Sequence, residues 1–303
     1  MVEGMDRIPI RTPKGTFEVA VKRVGRSDHT KLLLLHGGPG ATHEYFENFE
    51  QHLEPHGIEF YFYDQLGSGA SDNPDEPDLW ELERFVDEVE QVRSTLGLDA
   101  SNFYLLGHSW GGLLAIEYAL HYQRHLKGLV ISNMMSSCPS YNDYANHVLM
   151  PAMDQKALAE IKALESAGDI TNPRYEELLL EHHYVHHVLR VPVEDWPEPV
   201  QRSFAKINQQ IYVRMQGPSE LGLSGTLEDW DRTHELAEIT VPALVIAARH
   251  DTMDPEFMRM MAHRLPKGQY HECPDGSHMA MWDDEETYFD GLLGFLLAGR
   301  EDN

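Results

Sequence analysis

The stretch that most constrains the fold is Gly107–Gly112, whose sequence is GHSWGG. Asn102–Leu106, just before it, is an apolar run with the length of a buried strand, and Leu113–Leu120, just after it, has the composition of a packed helix. A Gly-x-Ser-x-Gly turn between a strand and a helix exposes the serine hydroxyl at its tip. The alternative is a glycine-rich turn with an incidental serine, so the role of Ser109 depends on partners elsewhere in the chain.

Strand-like and helix-like segments alternate around this turn. Continuous apolar runs such as Lys31–Leu35 and Gly128–Asn133 are typical of strands that a parallel sheet buries on both faces. The alternation predicts an α/β fold with a mostly parallel central sheet and helices on both faces. Further predicted strands are Thr16–Val21, Glu59–Tyr63, Ala243–Ala248 and Gln269–Glu272.

The pattern changes between residues 136 and 238, where no strand-like run occurs. We predict helices at 151–167, 175–188 and 200–215, bordered by proline or glycine. This segment is expected to be a helical cap inserted between the two parts of the core, residues 1–135 and 239–303. Its expected place is over the C-terminal ends of the strands, where parallel sheets carry their sites.

Composition restricts the partners and the compartment. The 303 residues carry a formal net charge of −26, which would repel the phosphates of a nucleic acid. No apolar run approaches the roughly 20 residues of a membrane helix, and Met1–Asp6 has neither the basic nor the apolar part of a secretory signal. With only two cysteines, we expect a cytoplasmic protein that binds neither nucleic acid nor membrane. The sequence indicates no oligomeric state.

A serine becomes a nucleophile when a base removes its proton and an acid orients that base. In hydrolases with the serine on a strand–helix turn, the acid follows it in the chain and the histidine comes last. Asp251 follows the predicted strand Ala243–Ala248, and His278 lies in the loop after Gln269–Glu272. The order predicts a catalytic triad with Ser109 as nucleophile, His278 as base and Asp251 as acid.

Two backbone amides are candidates for an oxyanion hole. One is the N–H of Trp110, directly after the serine, and the other is that of Gly38, in the loop HGGPG that follows Lys31–Leu35. Glycines in that loop allow the backbone to approach the developing negative oxygen closely. We therefore predict an oxyanion hole formed by Gly38 and Trp110.

The run His182–His187 contains four histidines, and histidines four residues apart on a helix can bind zinc. The sequence shows no third ligand beside them, and serine chemistry uses no metal. We expect no metal and no cofactor, and a packing role for these histidines.

Three motifs occur in order along the chain: HGGPG at His36–Gly40, DQLGSGAS at Asp64–Ser71 and GHSWGG at Gly107–Gly112. Together they resemble the prolyl aminopeptidase (proline iminopeptidase) family of serine peptidases. The resemblance continues through Asp251, Ser277-His278 and Met281-Trp282, so it covers nearly the whole chain. It implies an α/β-hydrolase core with a helical cap, and removal of an N-terminal residue, often proline, from short peptides or amides.

In that family a glutamate of the cap holds the free α-amine of the substrate, and the matching stretch Met215–Leu221 nominates Glu220. A carboxylate in a closed cap pairs strongly with an ammonium group, and the pairing fixes the register at the first peptide bond. The alternative is a solvated glutamate on the surface of the cap. Members associated with the tricorn protease have a second glutamate directly after the catalytic aspartate, where this sequence has Thr252. Amidase or arylamidase activity therefore stays open.

The sequence predicts a serine aminopeptidase that releases an N-terminal proline, or a small or apolar residue, through an acyl-enzyme. The expected partner is a small peptide or amino acid amide with a free N-terminal amine. Two alternatives stay open: a carboxylesterase or general amidase with the same triad, and a non-catalytic ligand-binding protein of the same fold. An epoxide hydrolase or dehalogenase would need an aspartate at position 109, where this chain has serine.

Overall fold

The computed structural model describes residues 4–298. Residues 1–3 and 299–303, the outer ends of the predicted core, lie outside the described part. They include half of the stretch Met1–Asp6 that argues against a secretory signal. The strands are β1 (Asp6–Thr12), β2 (Gly15–Val24), β3 (Lys31–Leu35), β4 (Glu59–Asp64), β5 (Phe103–His108), β6 (Gly128–Ser132), β7 (Ala243–Ala248) and β8 (Gly268–Cys273).

These strands form one sheet in the order β1-β2-β4-β3-β5-β6-β7-β8. β1 pairs antiparallel with β2, and β2 pairs antiparallel with β4. Every other neighbouring pair, from β4–β3 to β7–β8, is parallel. The predicted α/β class with a mostly parallel sheet is confirmed. β1, which the sequence analysis did not predict, is an edge strand that buries Ile8 and Ile10 and exposes Pro9 between them and Arg7 and Arg11 beside them.

Helices connect the strands and cover the sheet. Their bounds are α1 (Phe49–Leu53), α2 (Leu82–Thr95), α3 (Trp110–Tyr122), α4 (Cys138–Tyr144), α5 (Met150–Ala152), α6 (Gln155–Ala167), α7 (Pro173–Leu179), α8 (Val185–His187), α9 (Glu198–Ala205), α10 (Gln209–Met215), α11 (Pro255–Arg264), α12 (Ala280–Asp283) and α13 (Glu285–Leu297). Within residues 4–298, none of the helices combines the length and the apolar character needed to cross a membrane.

The core has two layers because side chains of a strand point alternately to its two faces. Leu33 and Leu105 join a cluster with apolar residues of α2, α3 and α11. Leu34 and Leu106, their neighbours in sequence, join a second cluster with α1 and α13. Strands β3 and β5 are thus buried on both faces, as their continuous apolar sequences predict, and the loops that follow them are held by a rigid base.

Helices α4 to α10 all lie between β6 and β7; we call residues 136–238 the helical insert. The predicted helix at 200–215 is wrong, because it is two helices, α9 and α10. Asn208 separates them: its Oδ1 accepts the N–H of Gln210 at 3.1 Å, and its own N–H donates to the carbonyl of Gly40 at 2.8 Å. Helix α6 begins only at Gln155, after the capping residue Asp154. The division at residues 136 and 238 into core and cap stays a prediction.

Candidate active site

Ser109 lies between the last residue of β5 and the first of α3, at the sharp turn that the GHSWGG motif predicts. Its φ of 56° and ψ of −128° are strained for a residue with a side chain. The turn is closed tightly enough that a Cβ at Gly107 would clash with the carbonyl of Gly111. The Ser109 N–H donates to the carbonyl of Ser132 in β6 at 3.1 Å, which anchors the turn to the neighbouring strand.

Asp251 and His278 are in direct contact although they are 27 positions apart in the chain. The Nδ1 of His278 lies 2.7 Å from Oδ1 of Asp251, and both side chains are buried. Burial would raise the pKa of Asp251, but the charge of His278 and its hydrogen bond outweigh burial and hold that pKa below its ordinary value. Burial would lower the pKa of His278, but the Asp251 carboxylate outweighs it and raises the pKa. The imidazole is therefore oriented with Nδ1 towards the acid.

Asn133 is a residue of this site that the sequence analysis missed. Its Nδ2 donates to Oδ2 of Asp251 at 2.7 Å and to the carbonyl of Ser277 at 3.2 Å. It thereby connects the acid with the loop that carries His278. Asn133 directly follows β6 and has a φ of 52°, a conformation that asparagine tolerates better than most residues. The sequence feature that could have identified Asn133 is its position: a polar residue immediately after a buried strand.

Thr252 packs against the acid–base pair. Its hydroxyl lies 3.2 Å from Oδ1 of Asp251 and 3.3 Å from Nδ1 of His278. A hydroxyl at this point donates to the carboxylate and carries no charge. The position directly after Asp251 therefore supplies no second carboxylate for an amine.

A chain of hydrogen bonds connects the loop after β3 with the serine turn and the histidine loop. The N–H of Gly37 donates to Oη of Tyr45 at 2.6 Å, and the Tyr45 hydroxyl lies 3.0 Å from Nδ1 of His108. Nε2 of His108 lies 2.7 Å from the carbonyl of His278, so Nε2 carries the proton and Nδ1 accepts from Tyr45. Burial and the charge of His278 lower the pKa of His108 to about 3, which keeps this ring neutral.

Gln65 connects two of the sequence motifs. Its Nε2 donates to the carbonyl of His36 at 2.9 Å, and its Oε1 accepts the indole N–H of Trp110 at 2.8 Å. The glutamine of DQLGSGAS thus sets the spacing between the HGGPG loop and the start of α3. Gly38, in that loop, has a φ of 107°, and a Cβ there would lie 2.7 Å from the backbone nitrogen of Ala41. Only glycine fits this backbone conformation.

Glu220 lies in a loop of the helical insert and lines the same cavity as Ser109. Its Oε1 accepts the hydroxyl of Tyr212 at 2.6 Å, and its carbonyl accepts the hydroxyl of Tyr141 at 2.7 Å. Burial raises the pKa of Glu220, although the charge of His278 and the Tyr212 hydroxyl act in the opposite direction. Glu220 is therefore a fixed, partly desolvated carboxyl group, not a solvated surface residue.

Two cavities meet at Ser109 and Glu220. The larger has a volume of about 1110 Å³ and is also lined by Gly38 and His278. The smaller, which we call the niche, has a volume of about 10 Å³ and is walled by side chains of the core and the insert. The niche is lined by Ser109, Trp110, Leu113, Met134, Tyr141, Gln216, Glu220, Leu223, Leu227 and Met253. Trp230, an aromatic residue of the insert, lines neither cavity and instead donates its indole N–H to Glu117 at 2.6 Å.

The histidines of the run 182–187 make structural contacts. The Nε2 of His183 lies 3.1 Å from the carbonyl of Glu220, and the carbonyl of His187 accepts the N–H of His278 at 3.0 Å. The N–H of Met279 and the hydroxyl of Ser277 both donate to the carbonyl of Val188, at 2.8 and 2.9 Å. Within residues 4–298, no three His, Cys, Asp or Glu side chains are grouped to hold a metal ion.

Comparisons with known proteins define the class and then the family. The family model for the alpha/beta hydrolase fold matches residues 31–285. The proline iminopeptidase of Flavobacterium johnsoniae is 51% identical over 289 residues, which cover 95% of this chain and 97% of that protein. The proline iminopeptidase of Elizabethkingia meningoseptica is also 51% identical, over 291 residues that cover 95% of this chain and 97% of the relative. The chain therefore belongs to the proline iminopeptidase family of α/β hydrolases, as the resemblance of its motifs predicts.

Solved structures agree with this assignment. The crystal structure of the proline iminopeptidase of Mycobacterium smegmatis superposes with a TM-score of 0.84 at 30% identity, covering 97% of this chain and 98% of that one. The crystal structure of VinJ superposes with a TM-score of 0.90 at 27% identity, covering 98% of this chain and 99% of that one. The same backbone arrangement thus extends over the core and the helical insert.

Proposed function

We propose that the protein is a serine aminopeptidase that removes an N-terminal proline, or another small residue, from short peptides and amino acid amides. One observation carries the proposal: a strained serine, a histidine hydrogen-bonded to a buried aspartate, and a fixed carboxyl group all meet at one cavity. The first two supply acyl transfer, and the carboxyl group supplies recognition of a free amine. The helical insert is proposed to act as the cap that holds this carboxyl group over the serine.

In the proposed reaction, Nε2 of His278 removes the proton of Ser109 as Oγ attacks the carbonyl carbon of the first residue. The resulting imidazolium is stabilised by Asp251, which raises the pKa of His278 in the resting protein as well. The protonated His278 then gives its proton to the leaving amine. Water attacks the acyl-enzyme with the same histidine as base, and release of the amino acid regenerates Ser109.

Two amides are proposed to stabilise the tetrahedral oxygen. The N–H of Trp110 is the first of α3, where no intrahelical acceptor exists and the helix dipole is positive. The N–H of Gly37 is bound to Tyr45, which leaves Gly38 as the next amide along the loop at the cavity. Donors of this kind contribute about 3–4 kcal/mol each to transition-state stabilisation.

Glu220 is proposed to bind the substrate's ammonium group. A bound cation beside the carboxyl group favours its ionised form, offsetting the burial that raises the pKa of Glu220. Anchoring the amine at Glu220 sets the carbonyl of the first residue at Ser109 and excludes later peptide bonds. The niche between Ser109 and Glu220 has room for only about one water-sized sphere, so the side chain of the first residue would lie mainly in the larger cavity, which Ser109 and Glu220 also line.

The test compares Ser109→Ala and Glu220→Gln with the natural protein on alanine and proline anilides, with and without an N-acetyl group. We expect Ser109→Ala to lower kcat by about 10⁴-fold or more on every substrate while the melting temperature stays unchanged. Glu220→Gln should lower kcat/KM on free amines by about 10²-fold, the effect of losing a desolvated charge pair, and change N-acetylated substrates little. Equal losses on free and acetylated substrates would favour an esterase or general amidase. An active Ser109→Ala protein would refute the triad.

A further inference from the structure

The larger cavity has an apolar wall well beyond the serine. Side chains from the core and from α7 to α10 form this wall, and they include Trp80, Leu179, Val188, Trp196, Phe204 and Ile207. Trp196 and Phe204 contact each other edge to face, with ring centroids 5.4 Å apart. The volume of about 1110 Å³ is several times what a single amino acid side chain fills. The cavity therefore has far more room than the first residue of a substrate needs.

Polar residues occur at the rim of this cavity. Asp75, Glu176, Gln209 and Gln210 line it and are exposed to solvent. Among the described lining residues, Arg214 is the one Lys or Arg, and it also lies at the rim, paired with Glu81 at 3.2 Å. The wall between the rim and the serine thus offers an anion no permanent positive charge.

We propose that this cavity binds the leaving portion of the substrate and selects a bulky, apolar portion that carries no carboxylate next to the scissile bond. This inference rests on the proposed function and extends it to the far side of the cleaved bond. The preferred substrates are amides of a small N-terminal residue with an aromatic or aliphatic amine, and peptides whose second residue is apolar and whose C-terminus is distant or blocked.

Charge and distance together support this selection. In a free dipeptide the terminal carboxylate lies only two bonds from the leaving nitrogen, so it stays beside the serine, whereas the exposed Arg214 is already paired with Glu81. The carboxylate would lose its hydration against apolar side chains with no cation to pair with, which is unfavourable. The acidic residues at the rim and the net charge of −26 add repulsion. An amide at the same position has no charge to desolvate.

Three substrates with the same first residue test the inference: Pro-Phe-NH₂, Pro-Phe and Pro-Gly-NH₂. We expect kcat/KM for Pro-Phe-NH₂ to exceed that for Pro-Phe by at least about tenfold, the factor that 1.4 kcal/mol of desolvation produces. The same substrate should exceed Pro-Gly-NH₂ by about tenfold or more, because burying a benzyl group stabilises by a few kcal/mol.

Substitutions of opposite charge at Ile207 distinguish an electrostatic effect on substrate preference from a general disturbance of the cavity. Ile207 is partly exposed, lines the cavity, and precedes Asn208, whose N–H bonds to Gly40 of the loop beside Ser109. Ile207→Lys should raise the preference for Pro-Phe relative to Pro-Phe-NH₂ by about tenfold, and Ile207→Glu should lower it further. Gln209→Lys, at the rim, is the matched control and should change the preference less than about threefold.

The outcomes separate the two proposals. Equal kcat/KM values for all three substrates, together with identical preferences in Ile207→Lys and Ile207→Glu, would overturn the selection of the leaving portion while leaving the aminopeptidase intact. Failure to cleave all three, with N-acetylated esters still cleaved, would overturn the aminopeptidase and this inference with it.

Discussion

Replacing Asn133 tests how far the acid depends on a neighbour outside the triad. Asn133→Gly keeps the positive φ of 52° accessible and removes only the side chain, whereas Asn133→Ala also imposes a strained backbone. Both variants delete the hydrogen bond of 2.7 Å to Asp251 and the one of 3.2 Å to the carbonyl of Ser277. The two variants therefore lose the same hydrogen bonds to Asp251 and Ser277, but only Asn133→Ala adds the strain of a positive φ.

The size of the effect follows from these contacts. A buried hydrogen bond to a charged group contributes about 1.5–3 kcal/mol. If the full amount acts in the transition state, kcat falls by about 10- to 100-fold. Asn133 does not line the cavity, so KM should stay nearly constant. Loss of this donor also raises the pKa of Asp251, which strengthens its effect on His278 and moves the acidic limb of the kcat profile to higher pH.

The assay is the pH dependence of kcat on a proline anilide, combined with urea unfolding of both variants. Asn133→Ala should unfold about 1 kcal/mol more easily than Asn133→Gly, the cost of alanine at positive φ, while the two show the same kcat. A kcat within about twofold of the natural protein, or a limb that does not move, would refute the role of Asn133 in holding Asp251. If kcat were lower in Asn133→Ala than in Asn133→Gly, in line with their stabilities, the loss of activity would come from destabilisation of the protein and not from the missing hydrogen bond.

Two further predictions concern buried groups beside the serine. Tyr45→Phe removes the hydroxyl that binds both Gly37 and His108, so kcat should fall about tenfold with KM nearly unchanged. The control Tyr118→Phe removes a hydroxyl bound to Glu90 and should leave kcat and KM unchanged in the same anilide assay. Equal effects of the two variants would contradict the role of Tyr45. Burial lowers the pKa of His36 to about 4, so between pH 6.5 and 4 the unfolded chain binds a proton that the folded protein excludes. The free energy of unfolding should therefore decrease as the pH is lowered from 6.5 to 4. His36→Gln should reduce the slope of this free energy against pH by up to about 1.4 kcal/mol per pH unit in urea unfolding, and an unchanged slope would contradict the prediction.

Much of the site could be predicted because its residues follow strands that the sequence marks clearly. β3, β5 and β7 are continuous apolar runs, and Ser109 and Asp251 come within three residues of the ends of two of them. In a parallel sheet those ends lie at one edge, so order along the chain is enough to group the candidates. Their catalytic roles stay a proposal.

What the sequence did not predict depends on contacts between distant residues. Asn133 and Tyr45 contact groups 118 and 63 positions away, and only the packing of the whole fold brings them into reach. The break before α10 combines a local cap, in which Asn208 accepts the N–H of Gln210, with a bond to the distant Gly40 that no local pattern contains. β1 was missed because its polar edge residues interrupt the apolar signal.

The bonds from the loop of His278 to the carbonyls of His187 and Val188 limit how the protein can admit a substrate. If the insert, the proposed cap, lifted as one body, these bonds would break or the imidazole would move away from its acid. We therefore expect the insert to stay in place during turnover. On this expectation, substrates would enter through the opening between the rim residues of the larger cavity. A flexible chain end passes such an opening, whereas an internal loop of a folded protein does not.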